Sequence, residues 1–344
     1  EQLKKDIQTE RITQDNIIYT YLGAKQLGLN EDIRKSIYQN IDKISMKEVK
    51  DFHDKYLSKK PYTYVILASE KKLSKEELEK IGEFFAKNGT TSWLCSVLTD
   101  TEEQTLWCID QFNEYKKKKR KGSDLVGIHL EGPFLAKEYK GAMPEFLLRK
   151  FDIDLLKKYQ ERSGGNVRYL TVAPEVDGIA GGIKEMTELG IAVSLGHSGA
   201  DYETTMKAIE NGATAATHTF NAMKLLHQHF PSIMGAVMES DVYCDGKYKL
   251  GVNDVVVEEG DAKLADTGVR AGSTLTQNVA LLNLLKFTGR PLAEVLPILS
   301  ENPAKLIGIY DRKGSIEDGK DADLVLLDEE NKISEVFVMG QRQE

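Results

Sequence analysis

The sequence predicts an α/β protein: a (β/α) barrel of parallel strands, preceded by a helical segment and followed by a small β element. Three observations carry that expectation. Short apolar runs alternate with helical patterns through the middle of the chain. Metal-competent side chains stand at the carboxyl ends of several runs, where a barrel keeps its chemistry. No Gly-rich strand-to-helix fingerprint for a dinucleotide or nucleoside phosphate interrupts the rhythm. A doubly wound open sheet is the runner-up.

Taken in order, residues 1 to about 61 read as helices. Ser45-Met46-Lys47-Glu48 fits the S-x-x-E box, in which the Ser oxygen and the Glu carboxylate satisfy orphan amides at a helix start, and a helix through Tyr56 follows. Tyr62 to Ala68 is β-branched and aromatic, hence a strand, and Ser74-Lys75-Glu76-Glu77 opens a capped helix that ends near Gly89. Strands are expected at Ser92 to Leu98, Leu125 to Glu131, Val167 to Ala173, Ala192 to His197 and Ala215 to Phe220. Lys247 to Val257 and Asp323 to Asp328 read as strands of a small β element, with helices at Leu275 to Thr288 and Leu292 to Ile307 between them. No internal repeat or low-complexity linker breaks the pattern.

With 344 residues and 41% hydrophobic content the chain can bury a core of substantial size. Its formal charge of −8 speaks against a nucleic-acid binder, whose affinity rests on a net basic surface. The basic run Lys116 to Lys121 is read as a solvated loop rather than a phosphate patch. No stretch approaches the roughly 18 apolar residues of a membrane span, and the first ten residues lack the apolar core of a signal peptide. A cytoplasmic protein without a membrane partner is expected. Cys95, Cys108 and Cys244, odd in number and widely spaced, fit reduced thiols better than a disulfide frame.

Three strand ends carry the chemistry: Glu131 in HLEGPF, His197 in GHS and His218 in THTFN. One histidine alone is more often a satisfied structural residue than a ligand. Two imidazoles and a carboxylate at successive strand ends instead make the donor set of a hydrolytic zinc site with one position left open.

The motifs HLEGPF, TVAPE at Thr171 to Glu175, SLGHSGA, ATHTFNAM, AGSTLT and ENPAKLIGIYDRKGSIEDGKDADLVLLD resemble the N-acetylglucosamine-6-phosphate deacetylases of the amidohydrolase superfamily, from about residue 78 to the end. The resemblance implies a distorted (β/α)₈ barrel with a small β-sandwich. It implies removal of acetate from N-acetylglucosamine 6-phosphate in amino sugar catabolism, one divalent metal ion (zinc first, iron or another ion as alternatives) and commonly a homodimer. It carries metal-ligand roles onto Glu131, His197 and His218, sugar-phosphate contacts onto Asn221 and Ala222, and a substrate-lining loop onto Ala271 and Gly272. Substrate-facing positions fall on Ala142 and Met143, and the place of a phosphate-clamping Arg falls on His229.

Two departures qualify this. Such deacetylases place a D-x-H-x-H or related motif at the end of the first strand; here YTYVILASEKKLSKEELEKIG stands there. Residues 1–82 instead resemble the C-terminal end of an M16-type metallopeptidase, without its inverted H-x-x-E-H motif, so a peptidase function has no assignable centre and His53 reads as a surface residue. The second departure follows Cys244, where Asp245-Gly246-Lys247 directly succeeds the seventh strand. The D-G-x-H-x-H-P segment and the eighth strand with its T-D-A or T-D-S aspartate are missing. Asp266 resembles that aspartate but aligns with a later loop. The expected division is therefore a peptidase-like 1–82, a metal-binding barrel at 83–245, expected to be incomplete, and remaining barrel helices with the small β-domain at 246–344. The leading reading is a deacetylase of weakened turnover; the alternative is a non-catalytic remnant that binds a metal or a sugar phosphate.

Overall fold

The computed structural model describes residues 33–40, 75–117, 121–227, 229–240, 243–244, 255–258, 261–264, 270–273 and 275–343. The expected Ser45 box, His53, the strand at Tyr62 to Ala68, Ser74 and Asp266 lie outside them. Contacts divide the chain into two units, Glu1–Tyr64 and Val65–Glu344. In the first, helix α1 covers Ile33–Asn40.

In the second unit, helix α2 (Lys75–Lys87) leads into a six-stranded sheet. Strands and helices then alternate: β1 (Ser92–Leu98), α3 (Glu102–Lys116), β2 (Asp124–Glu131), α4 (Ile153–Arg162), β3 (Val167–Val172), α5 (Ile179–Glu188), β4 (Ala192–Leu195), α6 (Tyr202–Glu210), β5 (Ala213–Ala216), α7 (Ser232–Glu239) and β6 (Tyr243–Cys244). Side-chain caps fix three of the helix starts: Thr101, Asp152 and Asp201 accept the amides of Gln104, Leu155 and Thr204.

All five pairings in the sheet are parallel, and the strands follow one another in sequence order. A doubly wound sheet reverses direction at a switch point. No reversal occurs among the described strands, so the runner-up topology is set aside. Strands β2, β3 and β4 are buried almost throughout, and their outer side packs on Ile109 and Phe112 of α3, Leu156 of α4, and Ile183 and Met186 of α5. Strand β1 is only half-buried, and among the described residues it forms one edge of the sheet.

Two strands stop earlier than the sequence suggests. The run expected to reach His197 ends at Leu195, and the run expected to reach Phe220 ends at Ala216. His197, His218 and Phe220 adopt φ of 50°, 36° and 77°. Left-handed backbone cannot continue a strand, so the chain turns where the histidines sit.

Beyond β6 come β7 (Val255–Glu258), β8 (Asp261–Leu264) and β9 (Arg270–Ser273), an antiparallel sheet of three. Ala271 and Gly272, expected in a loop, thus belong to a strand. Helix α8 (Gln277–Thr288) agrees with expectation, but the single helix expected at Leu292 to Ile307 is two, α9 (Leu292–Leu299) and α10 (Glu301–Leu306). Pro303 explains the break: it donates no amide hydrogen, and its ring would strike the carbonyl four residues earlier, at Leu299. A second antiparallel sheet follows, β10 (Leu324–Leu327), β11 (Ile333–Val338) and β12 (Gln341–Arg342). Val336 and Val338 of β11 bury against Ala86 of α2.

A buried ionic cluster ties this C-terminal sheet to the amino ends of the parallel strands. Lys313, 4% exposed, reaches Asp323 at 2.6 Å, Asp321 at 2.9 Å and Asp124 at 3.5 Å, and Asp323 also accepts the Ser92 hydroxyl. Burial would lower the Lys313 ammonium, yet its hydrogen bonds to Asp323 and Asp321 hold it above the ordinary lysine value. Lys313→Met takes the buried ammonium from Asp323 and leaves Asp124 and Asp321 to Arg312, which lies 3.0 Å and 3.2 Å from them. It is expected to cost about 3–5 kcal/mol of unfolding free energy in urea titrations; a loss below about 1 kcal/mol would mean that Arg312 and water take over the role of the ammonium.

Candidate metal centre

Parallel strands present all their carboxyl ends on one side, so β2, β4 and β5 deliver Glu131, His197 and His218 to a common place. The three side chains are buried, at 3%, 5% and 8% exposure. His197 Nε2 lies 3.0 Å from Glu131 Oε1 and 2.9 Å from His218 Nε2, and His218 Nε2 lies 3.4 Å from the same carboxylate oxygen. Among the described residues this is the group of three that could hold a metal ion.

The local chain is shaped for this convergence. A Cβ at Gly132, whose φ is +93°, would collide with Thr99 Oγ1, so only glycine lets the chain turn directly after Glu131. The Gly132–Pro133 peptide is cis. The loop that follows is stitched to His197 twice: Ala136 N donates to the His197 carbonyl at 3.1 Å, and His197 Nδ1 bonds the Tyr139 carbonyl at 2.8 Å. On the other flank Glu175 accepts the Ser198 hydroxyl at 2.7 Å and the Gly199 amide at 2.5 Å.

The Tyr139 carbonyl settles the histidine tautomer. A carbonyl only accepts, so Nδ1 carries the proton, and in neutral His197 the Nε2 lone pair points at a carboxylate oxygen. Two electron-rich atoms at 3.0 Å need a cation between or beside them. Where the imidazoles of His197 and His218 instead donate from Nε2, their bonds outweigh the burial that raises the Glu131 carboxyl and bring its pKa down to about 2, so positive charge beside this oxygen is what keeps it ionised. Its second oxygen, Oε2, is buried without a hydrogen-bond partner. The spacings lie close to the ~3.3–3.4 Å edge of a tetrahedron built on bonds of about 2.0–2.1 Å, so the donors fit a small divalent ion in both type and size.

The other expected site residues fall in different settings. Asn221 is exposed beside His218, and Ala222 follows in left-handed backbone, φ 50°. Met143 is buried and Ala142 half-buried, in the loop whose Tyr139 carbonyl holds His197. His229 is exposed, its ring 5.6 Å from that of His227, and its amide donates to His227 Nδ1. Sequence reasoning passed over two supports of His197. The Tyr139 carbonyl is backbone and leaves no side-chain signal. Glu175 stood within a quoted motif and could have been suspected as a carboxylate at a strand end.

Residues 46–342 match the amidohydrolase family. The chain belongs to that family. This amidohydrolase is 32% identical over 284 residues to the N-acetylglucosamine-6-phosphate deacetylase of Bacillus subtilis, covering 70% of this chain and 72% of that one. The crystal structure of N-acetylglucosamine-6-phosphate deacetylase from Pasteurella multocida matches with a TM-score of 0.72 at 28% identity, over 79% of this chain and 81% of that chain. A mutant of the Mycobacterium smegmatis deacetylase, in complex with N-acetyl-D-glucosamine-6-phosphate, matches at 0.71 and 27% identity over 78% and 81%. The amidohydrolase match begins inside the segment 1–82 expected to be peptidase-like, and that likeness is not shown. No helix among the described residues of this amidohydrolase is long and apolar enough to cross a membrane.

Metal content tests the centre directly. Protein stripped with a chelator and reloaded should hold about one zinc ion per chain. Alanine at Glu131, His197 or His218 should weaken uptake by more than about 100-fold, beyond the effect of losing an outer partner. Undiminished uptake by His197→Ala would remove His197 from the ligand set.

Proposed function

We propose that this chain is a metal-dependent deacetylase of N-acetylglucosamine 6-phosphate whose turnover is depressed, working as a homodimer. The observation that carries the reading is the His197 lone pair aimed at a buried carboxylate oxygen, with His218 Nε2 beside both. The names of the relatives supply the substrate class. Glu131, His197 and His218 would hold one divalent ion, zinc first. When bound, such an ion polarises the acetamide carbonyl and lowers the pKa of water. The finer fold, a (β/α) barrel lacking part of its circumference with a β-sandwich beside it, belongs to the same proposal, as does a division at residues 82 and 245.

The chain's own residues have separate tasks. Glu131 brings the negative charge that a cation needs in a buried place. Tyr139 keeps the proton of His197 on Nδ1, leaving Nε2 free to ligate. Asn221 and Ala222, with Ala142, Met143, His229, Ala271 and Gly272, are assigned to the sugar phosphate. His229 offers a weaker, pH-dependent charge in place of the permanent bidentate one of an Arg. Cleaving the amide also demands a proton on the departing amine. The aspartate that the family pattern provides for this is missing after Cys244.

Acetate release and metal content should be measured on the same sample, beside the Bacillus subtilis relative. The expected rate is about 10²–10⁴-fold lower than the relative's, the span that one positioned acid/base group contributes, and a chelator should abolish it. Stoichiometric metal with no chelator-sensitive release would favour the non-catalytic remnant. A rate equal to the relative's would mean that another group moves the proton, with Asp266 the first to replace.

A further inference from the structure

The layer of side chains just below the metal centre is made of hydroxyls and an imidazole. His129 Nδ1 lies 2.9 Å from Ser96 Oγ, and its Nε2 lies 2.8 Å from Thr171 Oγ1. Thr171 Oγ1 is 2.8 Å from Thr217 Oγ1, which in turn is 2.6 Å from Ser194 Oγ. The chain thereby joins β1, β2, β3, β4 and the end of β5, side chain to side chain. Thr171, Ser194 and Thr217 have no exposed surface, and His129 is 5% exposed.

Such a layer needs a reason. Parallel strands usually fill their interior with branched aliphatic residues, and a buried hydroxyl is costly unless it is bonded. Here every hydroxyl is bonded, and a hydroxyl passes on a single proton, so the bonds run in one direction set by the tautomer of His129. If Nδ1 donates to Ser96, then Thr171 donates to Nε2, Thr217 to Thr171 and Ser194 to Thr217. The opposite tautomer reverses them all. Bonds aligned in this way reinforce one another.

The position of the chain is informative. His129 lies two residues before Glu131, hence on the same face of β2. Thr171 is the partner of Glu131 across the β2–β3 pairing, and Thr217 immediately precedes His218. Left-handed backbone at a β-turn histidine costs free energy and persists only where its surroundings over-determine it. His218 has φ 36°, and the Thr217 hydroxyl beside it is held from two sides.

We propose that the Ser96–His129–Thr171–Thr217–Ser194 chain is a positioning device for the metal centre. It locks the strands at one relative height, so that Glu131 Oε1 and the two Nε2 atoms keep the spacing an ion requires. The inference rests on the reading of Glu131, His197 and His218 as ligands, and the test separates the two.

Thr171→Val removes the central hydroxyl at constant shape, whereas Thr171→Ser keeps it. Cobalt(II) serves as the probe, with affinity from competition against a chelator, the visible absorption of the bound ion as a report of geometry, and the thermal midpoint of the metal-free protein. Cobalt binding by Thr171→Val is expected to weaken about 10–100-fold with an altered spectrum, while Thr171→Ser stays within about threefold of the parent. Unchanged affinity and spectrum in Thr171→Val, even with a lowered metal-free midpoint, would reduce the chain to core structure and overturn the proposal. Should Thr171→Val fail to fold, Ser194→Ala at the end of the chain decides: a smaller weakening supports positioning, and parent-like affinity with a parent-like spectrum overturns it. A parent chain that takes up no cobalt overturns the ligand reading and this inference with it. Parent binding matched by Thr171→Val overturns this inference alone.

Discussion

A carboxylate oxygen and two imidazole nitrogens crowded within 3.4 Å, away from solvent, repel one another unless positive charge lies among them. Much of the surrounding architecture can be understood as the means of holding that arrangement in place. Parallel strands bring their ends to one side, glycine at 132 allows the turn after Glu131, and left-handed backbone at both histidines aims the rings inward. The Tyr139 carbonyl then assigns the proton of His197, and Glu175 pins the two residues after it. Each support acts on backbone or tautomer, leaving the three donor atoms themselves available to a cation.

The legible part of this design is the part that depends on residue type. Strands of β-branched and small apolar residues, alternating with capped helices, read correctly because period and capping are local properties of the chain. Glu131, His197 and His218 were visible because each follows such a run in a set of metal-competent types. Their backbone conformations were not, since no local preference makes a histidine left-handed; tertiary bonds impose it. Pro303 was visible as a residue but read as part of a continuous helix, although its clash with the carbonyl of Leu299 is a local rule that could have been applied. Ala271 and Gly272 went to a loop by likeness to other sequences rather than by their own pattern. The hydroxyl chain under the site escaped because Ser and Thr in strands have many uses, and only the packing of several strands brings these together.

The ionic cluster at the other end of the strands has a different logic. Lys313 meets Asp321 and Asp323 within its own segment, but Asp124, at the start of β2, meets Lys313 and Arg312 only when distant parts of the chain have docked. Such a cluster adds specificity to the docking, because any other register leaves a buried charge without its counter-charge. Its position away from the ligating side chains lets the clamp and the chemistry vary independently.

The contact between β11 and α2 bears on biosynthesis. Val336 and Val338 cover Ala86, and Gln343 accepts the Gly122 amide at 2.9 Å, so some of the last described residues complete a surface begun more than 200 positions earlier. A chain emerging from the ribosome can pair β1 to β6 in order as they appear, but that apolar surface stays uncovered until β11 has left the exit tunnel. A stalled or prematurely terminated message would yield a product with its central sheet formed and this seam still open.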